Sequence, residues 1–190
     1  MELHPTLWRT CRVLAGVTRL RLLRQICRVP GLRVSDLATL EGIGESRASQ
    51  ELRRLQSRGL VQAVRMGRRV RYWPLPDPQV PAAKPLLNAL ETAFRRSPRS
   101  VETEGLRIAS AFSHPRRLAI IQVILRGPRN FGALSGAVGF SRAALNRHLR
   151  ILQARGLVER RAGGYRWKAD PHPLTQCLVR LVKRRSASGG

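Results

Sequence analysis

Two stretches of the chain carry arginine, asparagine and glutamine at spacings that share one side of an α-helix. The first holds Ser46, Arg47, Ser49, Gln50 and Arg53; the second holds Arg142, Ala143, Asn146, Arg147 and Arg150. A guanidinium fork donates a pair of hydrogen bonds to guanine, and a carboxamide pairs with adenine in the same bidentate way. Such faces are equipped to read base edges in duplex DNA. The competing reading is the solvated face of an ordinary amphipathic helix. A further set, Arg65, Arg68, Arg69 and Arg71 with Arg160, Arg161 and Arg166, lies in short segments of alternating polarity. Those arginines suit phosphate or minor-groove contacts, which anchor a protein without reading sequence.

The composition around these residues points the same way. The 190 residues include 36 Lys+Arg against 11 Asp+Glu, a formal net charge of +25. Only Lys84, Lys168 and Lys183 are lysines, so arginine, the residue best matched to planar anionic partners, supplies nearly all the charge. A genome rich in arginine codons explains arginine over lysine but not the scarcity of acids. A polyanion, double-stranded DNA before any other, is the expected partner. Enzymatic chemistry is poorly furnished: there is no P-loop, GxSxG or HExxH, and His4, His114 and His172 stand beside prolines without a matching nucleophile. Cys11, Cys27 and Cys177 form no CxxC and no disulfide framework, so a reducing compartment is expected. Leu118 to Leu125 is too short to span a bilayer, and Met1 to Arg12 lacks a signal-peptide core. The expected setting is the cytoplasm, in association with the nucleoid, with no membrane partner.

The elements that must carry these side chains occur twice. Leu52 to Val61 returns as Leu149 to Val158 with eight of ten positions identical, at an offset of 97. With one residue's slip, Arg19-Leu20, Ile26, Arg28 and Pro30 return as Arg117-Leu118, Ile124, Arg126 and Pro128. The expectation is a tandem duplication: domain 1 over 1–97, domain 2 over 98–185, and a disordered tail over 186–190. In the first unit, apolar periodicity predicts helices over 6–16, 19–28 (capped by Thr18), 35–40 and 45–57, with Gly59 ending the last. A hairpin over 60–73 follows, then a proline-rich stretch, Pro74 to Pro85, and a helix over 86–95. The second unit predicts helices over 101–112, 115–126, 131–138 and 142–154, the last capped by Ser141. A shorter hairpin over 157–168 and a closing helix over 174–183 complete it. Short helix, glycine turn and longer helix make a helix-turn-helix. The fold class is mainly α with small β-hairpins. Tyr72 and Trp167 align as core-facing hairpin residues.

Leu14 to Leu23 and Phe112 to Ile121 resemble the second-helix signature of ArsR-type winged-helix regulators. Asn146 to Val158 resembles their recognition-helix stretch. The resemblance covers both copies and implies two winged helix-turn-helix domains. Members are usually one-unit homodimers joined through their first and last helices, whereas this chain fuses two units. The resemblance therefore implies an intrachain pseudo-dimer joined through 6–16, 86–95, 101–112 and 174–183, with a homodimer as the alternative. Where some members bear a cysteine pair in the third helix, this chain has Val34-Ser35-Asp36-Leu37, so no metal or other cofactor is expected. Cys11 and Cys177 fall on first and last helices, where buried structural thiols are the default over a metal or redox pair. His148 stands where members commonly carry histidine and is read as a packing or phosphate-contacting residue.

Glu45 and Glu51 complicate the first reading helix, because carboxylates near phosphate oppose binding. Glu45 sits where it favours a helix N-terminus; Glu51 either faces inward or accepts from cytosine. The second helix is the better reader, and the two half-sites should differ. The expected function is a sequence-specific transcriptional regulator, a repressor on the family resemblance. The alternative is an architectural DNA-binding protein with little sequence preference.

Overall fold

In a computed structural model of the chain, residues 5–96, 101–127 and 129–187 are described. Helix α1 (Pro5–Leu14) buries Leu7, Cys11 and Leu14, one face at helical spacing. Helix α2 (Val17–Arg28) buries Leu20, Leu22, Leu23 and Ile26. Thr18 is not its cap: Gly16 in extended conformation holds that place without a side-chain hydrogen bond, and its carbonyl accepts from the Leu20 amide at 3.0 Å. The helix thus starts earlier than the sequence pattern suggests. Gly31, at φ +87°, turns the chain into a two-residue strand, β1 (Leu32–Arg33), which periodicity does not reveal. Helix α3 (Val34–Glu41) opens with the Asp36 carboxylate accepting from the Arg33 amide at 2.9 Å and closes on left-handed Gly42. Helix α4 (Glu45–Gln56) buries Ala48, Leu52 and Leu55, the expected stripe.

Strands β2 (Gln62–Met66) and β3 (Arg69–Trp73) form the hairpin, and β1 adds to it in the order β1-β3-β2. The stretch from Pro74 to Ala82 is not a free tether. The Asp77 amide donates to the Gly59 carbonyl at 2.9 Å, and Ala82 is buried. Helix α5 (Ala83–Arg96) begins inside the proline-rich stretch, with Leu86, Leu87, Leu90 and Phe94 inward.

Helix α6 (Val101–Phe112) follows; Ser97 and Pro98, the expected break, lie outside the described residues. His114 caps α7 (Pro115–Ile124) by accepting from the Arg116 amide, and α7 stops short of Arg126. Asn130 caps α8 (Phe131–Val138), and Ser141 caps α9 (Arg142–Ala154), whose Leu145, Leu149 and Leu152 are fully buried. Strands β4 (Val158–Arg161) and β5 (Gly164–Trp167) form the second hairpin. An isolated bridge from Arg129 to Tyr165 repeats the pairing of Leu32 with Tyr72 at the same offset of 97 on the first strand. This register equates Tyr72 with Tyr165 rather than with Trp167, a correction that follows from the shorter second hairpin. Both tyrosines are buried, while Trp167 is half-buried and meets Phe112 edge-on at 6.2 Å. Helix α10 (Pro173–Ala187) continues through Ser186 and Ala187, two residues into the expected tail; 188–190 lie outside the described residues.

One contiguous apolar cluster takes residues from both sides of the 97–100 stretch. Helix α1 packs on α6, α5 on α10, and α2 on α6. Glu102 of α6 accepts from Arg21 and Arg24 of α2, each at 2.7 Å. One arginine role recurs: the Arg19 guanidinium donates to the Val13 carbonyl at the end of α1, and that of Arg117 to the Ala111 carbonyl at the end of α6. Each ties the second helix of its unit to the first and satisfies a helix-terminal carbonyl that would otherwise be orphaned.

Candidate nucleic-acid interface

The candidate interface lies on α4 and α9, each lodged against the core by its leucine stripe. Opposite that stripe on α9, Arg142, Ala143, Asn146, Arg147 and Arg150 are all exposed. On α4, Ser46, Arg47, Gln50 and Arg53 are exposed and Ser49 is half-buried. Helices α3 and α4 pack on each other across the Gly42–Gly44 turn, which fixes the angle of α4.

The two faces differ in charge. Glu51 turns inward: its carboxylate accepts from Arg19 at 2.6 Å and from Arg54 at 3.0 Å. Burial opposes its ionisation, but the hydrogen bonds and charges of Arg19 and Arg54 hold its pKa below the ordinary value. That geometry removes it from any base contact. Glu45 stays exposed in the first turn of α4, and α9 carries no acid.

At the position matching Glu51 stands His148, only 3% exposed and against His114, the ring centroids 4.6 Å apart and the planes inclined at 41°. Neither of its ring nitrogens has a hydrogen-bond partner among the described residues. Burial, then the charges of His114, Arg117, Arg147 and Arg116, pushes its pKa down to about 4. His148 is therefore a neutral packing group rather than a phosphate contact.

The hairpin arginines divide into four groups. Arg65, Arg68 and Arg69 are exposed at the first tip, where Arg65 donates to the Gly67 carbonyl at 3.2 Å. Arg71 is half-buried and donates to the Gly31 carbonyl at 2.8 Å, so it ties the hairpin to the turn between α2 and β1. Arg166 and Arg161 share Glu159, at 2.5 and 3.4 Å. Arg160 lies on the opposite face of its hairpin, over the Tyr165 ring at 5.9 Å.

Aromatic supports escaped the sequence reading. Arg142 sits 5.6 Å from the Phe131 centroid, and the exposed Arg116 sits 5.4 Å from that of Phe140. The repeat contained a signal: at an offset of 97, the first unit has Val34 for Phe131, Ile43 for Phe140 and Glu45 for Arg142. Phe131, Arg142, Ala143, Asn146, Arg160 and Tyr165 line a recess of about 490 Å³ between α8, α9 and the second hairpin.

The remaining reactive groups are quiet. Burial raises the pKa of Cys27 to about 12 and of Cys177 to about 11; Cys11 rises further, through burial and the Cys177 charge. All three are thiols rather than nucleophilic thiolates. Among the described residues, no group of three or more His, Cys, Asp or Glu gathers to hold a metal, and no helix is long and apolar enough to cross a membrane.

Residues 114–160 match the family model described as bacterial regulatory protein, arsR family. The matched span runs from the cap of α7 through α9 into β4. It supports reading this stretch as the helix-turn-helix of a DNA-binding transcriptional regulator rather than part of an enzyme. No curated protein matches the chain.

Proposed function

We propose that the protein is a transcriptional repressor that binds double-stranded DNA through two unlike winged helix-turn-helix units carried in one chain. The observation that carries this reading is α9: five outward positions, all exposed, rich in guanidinium and amide groups and free of acids, on a helix held rigidly from behind. In a helix-turn-helix that face enters the major groove. Apart from β1, whose place is taken by the single bridge of Arg129 to Tyr165, the order of elements over 5–96 is repeated over 101–187, which supports a tandem duplication with domains near 1–97 and 98–185. Packing of first helix on first (α1 on α6) and last on last (α5 on α10) supports an intrachain pseudo-dimer that presents both reading helices together. Ser46, Ser49 and Gln50 stand where Ala143, Asn146 and Arg147 stand at the offset of 97, and only Arg53 and Arg150 agree, so the two halves of the site are unequal. Repression follows from occupancy of that site, which excludes polymerase. The charge of +25 also favours a second reading, an architectural protein with little sequence preference.

Selection from sheared genomic duplex at physiological salt, with competitor DNA, separates the two. A two-part motif with unequal halves is the expected result; uniform recovery supports the architectural protein instead. Arg147→Ala and Asn146→Ala each remove about 1–3 kcal/mol of discrimination at one base pair. The expected outcome is relaxed sequence choice at one half of the motif; an equal loss on all sequences contradicts base reading.

A further inference from the structure

We propose that the recess between α8, α9 and the second hairpin is a subsite for one DNA backbone phosphate with its deoxyribose. In it Phe131 and Tyr165 are positioning residues that hold Arg142 and Arg160 as paired forks. The inference deepens the duplex-binding reading above and rests on it.

The two guanidinium groups come from different elements, α9 and β4, and border one recess. Each lies over an aromatic ring, and neither has a carboxylate partner among the described residues. The contrast on the same hairpin is direct: Arg161 and Arg166 on the other face are already paired with Glu159. A guanidinium laid on a ring keeps its N–H edge turned outward and has less freedom to lose when it binds. Two cations facing one recess call for a full negative charge. A base edge offers none, whereas a phosphate offers non-bridging oxygens to both forks. The volume exceeds what a phosphate alone fills, and Phe131, Ala143 and Tyr165 supply apolar wall for the sugar.

The first unit has no counterpart. At the matching positions stand Val34, Glu45, Ser46, Ser49, Ala63 and Tyr72; one ring is kept, but no guanidinium is among them. The second unit thus holds an anchor that the first lacks, and Arg142 belongs with the phosphate contacts rather than the base readers.

The test is fluorescence anisotropy of the full chain on a random-sequence duplex pool and on individual duplexes, over a salt series. Arg142→Ala is expected to weaken every duplex alike and to lower the salt slope by about one. Phe131→Leu keeps an apolar side chain but removes the ring; it is expected to weaken binding about fivefold. In the Arg142→Ala background it should have no further effect, because it acts through that arginine. A sequence-selective loss in Arg142→Ala overturns the phosphate assignment. A Phe131→Leu loss that persists undiminished in the Arg142→Ala background overturns the positioning role. Absence of duplex binding by the parent protein overturns the proposed function itself, and the subsite with it. Arg142 is exposed, so its variant folds and keeps the proposal falsifiable if Phe131→Leu does not.

Discussion

Glu51 and His148 stand 97 residues apart at matching positions of α4 and α9, and each meets a nearby arginine in its own way. Each lies on the inward side of its own helix, Glu51 near Arg19 and His148 near Arg117, the arginines that donate to the ends of α1 and α6. In the first copy a carboxylate pairs with Arg19; their side chains are 13% and 16% exposed. Removing one partner of a largely buried pair leaves the other uncompensated, so Glu51→Gln should cost about 2 kcal/mol of stability at neutral pH. The folded pKa of Glu51 lies below its ordinary 4.5. Its contribution is therefore complete above pH 4.5 and is lost as pH falls through the folded value. Thermal melting at a series of pH values should show the gap between parent and variant closing in acid. In the second copy the ring of His148 stays neutral down to about pH 4, although in the unfolded chain it protonates near 6.5. The unfolded state then binds more protons, so stability declines as pH falls from 6.5 towards 4. His148→Leu should make that decline shallower; an unchanged slope contradicts a buried neutral ring.

At the scale of elements, the hairpins are aimed by close backbone approaches rather than by their own sequences. Gly164 has φ +110°, and a Cβ there would lie 2.3 Å from the Arg129 carbonyl oxygen. That approach lets Tyr165 exchange both backbone hydrogen bonds with Arg129, at 2.8 and 3.0 Å, which anchors β5 beside the start of α8. Gly164→Ala combines strain at positive φ with a backbone clash and should cost at least about 2 kcal/mol. The urea midpoint should fall at unchanged m-value. Gly163→Ala, where a Cβ meets nothing within 4 Å, is the control and should be close to neutral. Equal stability of the two variants contradicts the account.

Across the whole molecule, the apolar cluster runs without interruption from α1 and α5 into α6 and α10, and Glu102 clasps α2 from the other side. Units joined through a shared core have no separate cores to melt independently. Calorimetry should give one transition whose calorimetric and van't Hoff enthalpies agree. Two resolved transitions contradict a merged core. The same packing sets the relative orientation of α4 and α9.

Much of this was legible in the sequence because it is local. The leucine stripes of α4 and α9 follow from helical spacing, the cap of Ser141 from short-range hydrogen bonding, and the outward arginines from what the stripes leave over. The repeat of Leu52 to Val61 as Leu149 to Val158 likewise needs no structure. What the tertiary structure decided involves partners far apart in sequence. Strand β1 exists only because β3 comes alongside it, and two residues carry no periodicity of their own. Glu51 is drawn inward by Arg19, 32 residues away, and Arg71 is committed to Gly31, 40 residues away. The matching of Tyr72 with Tyr165 depends on strand register, not on sequence alignment. Spacing along one helix determined which side chains face out; only the folding of one element against another determined which of those remain free to meet a phosphate or a base.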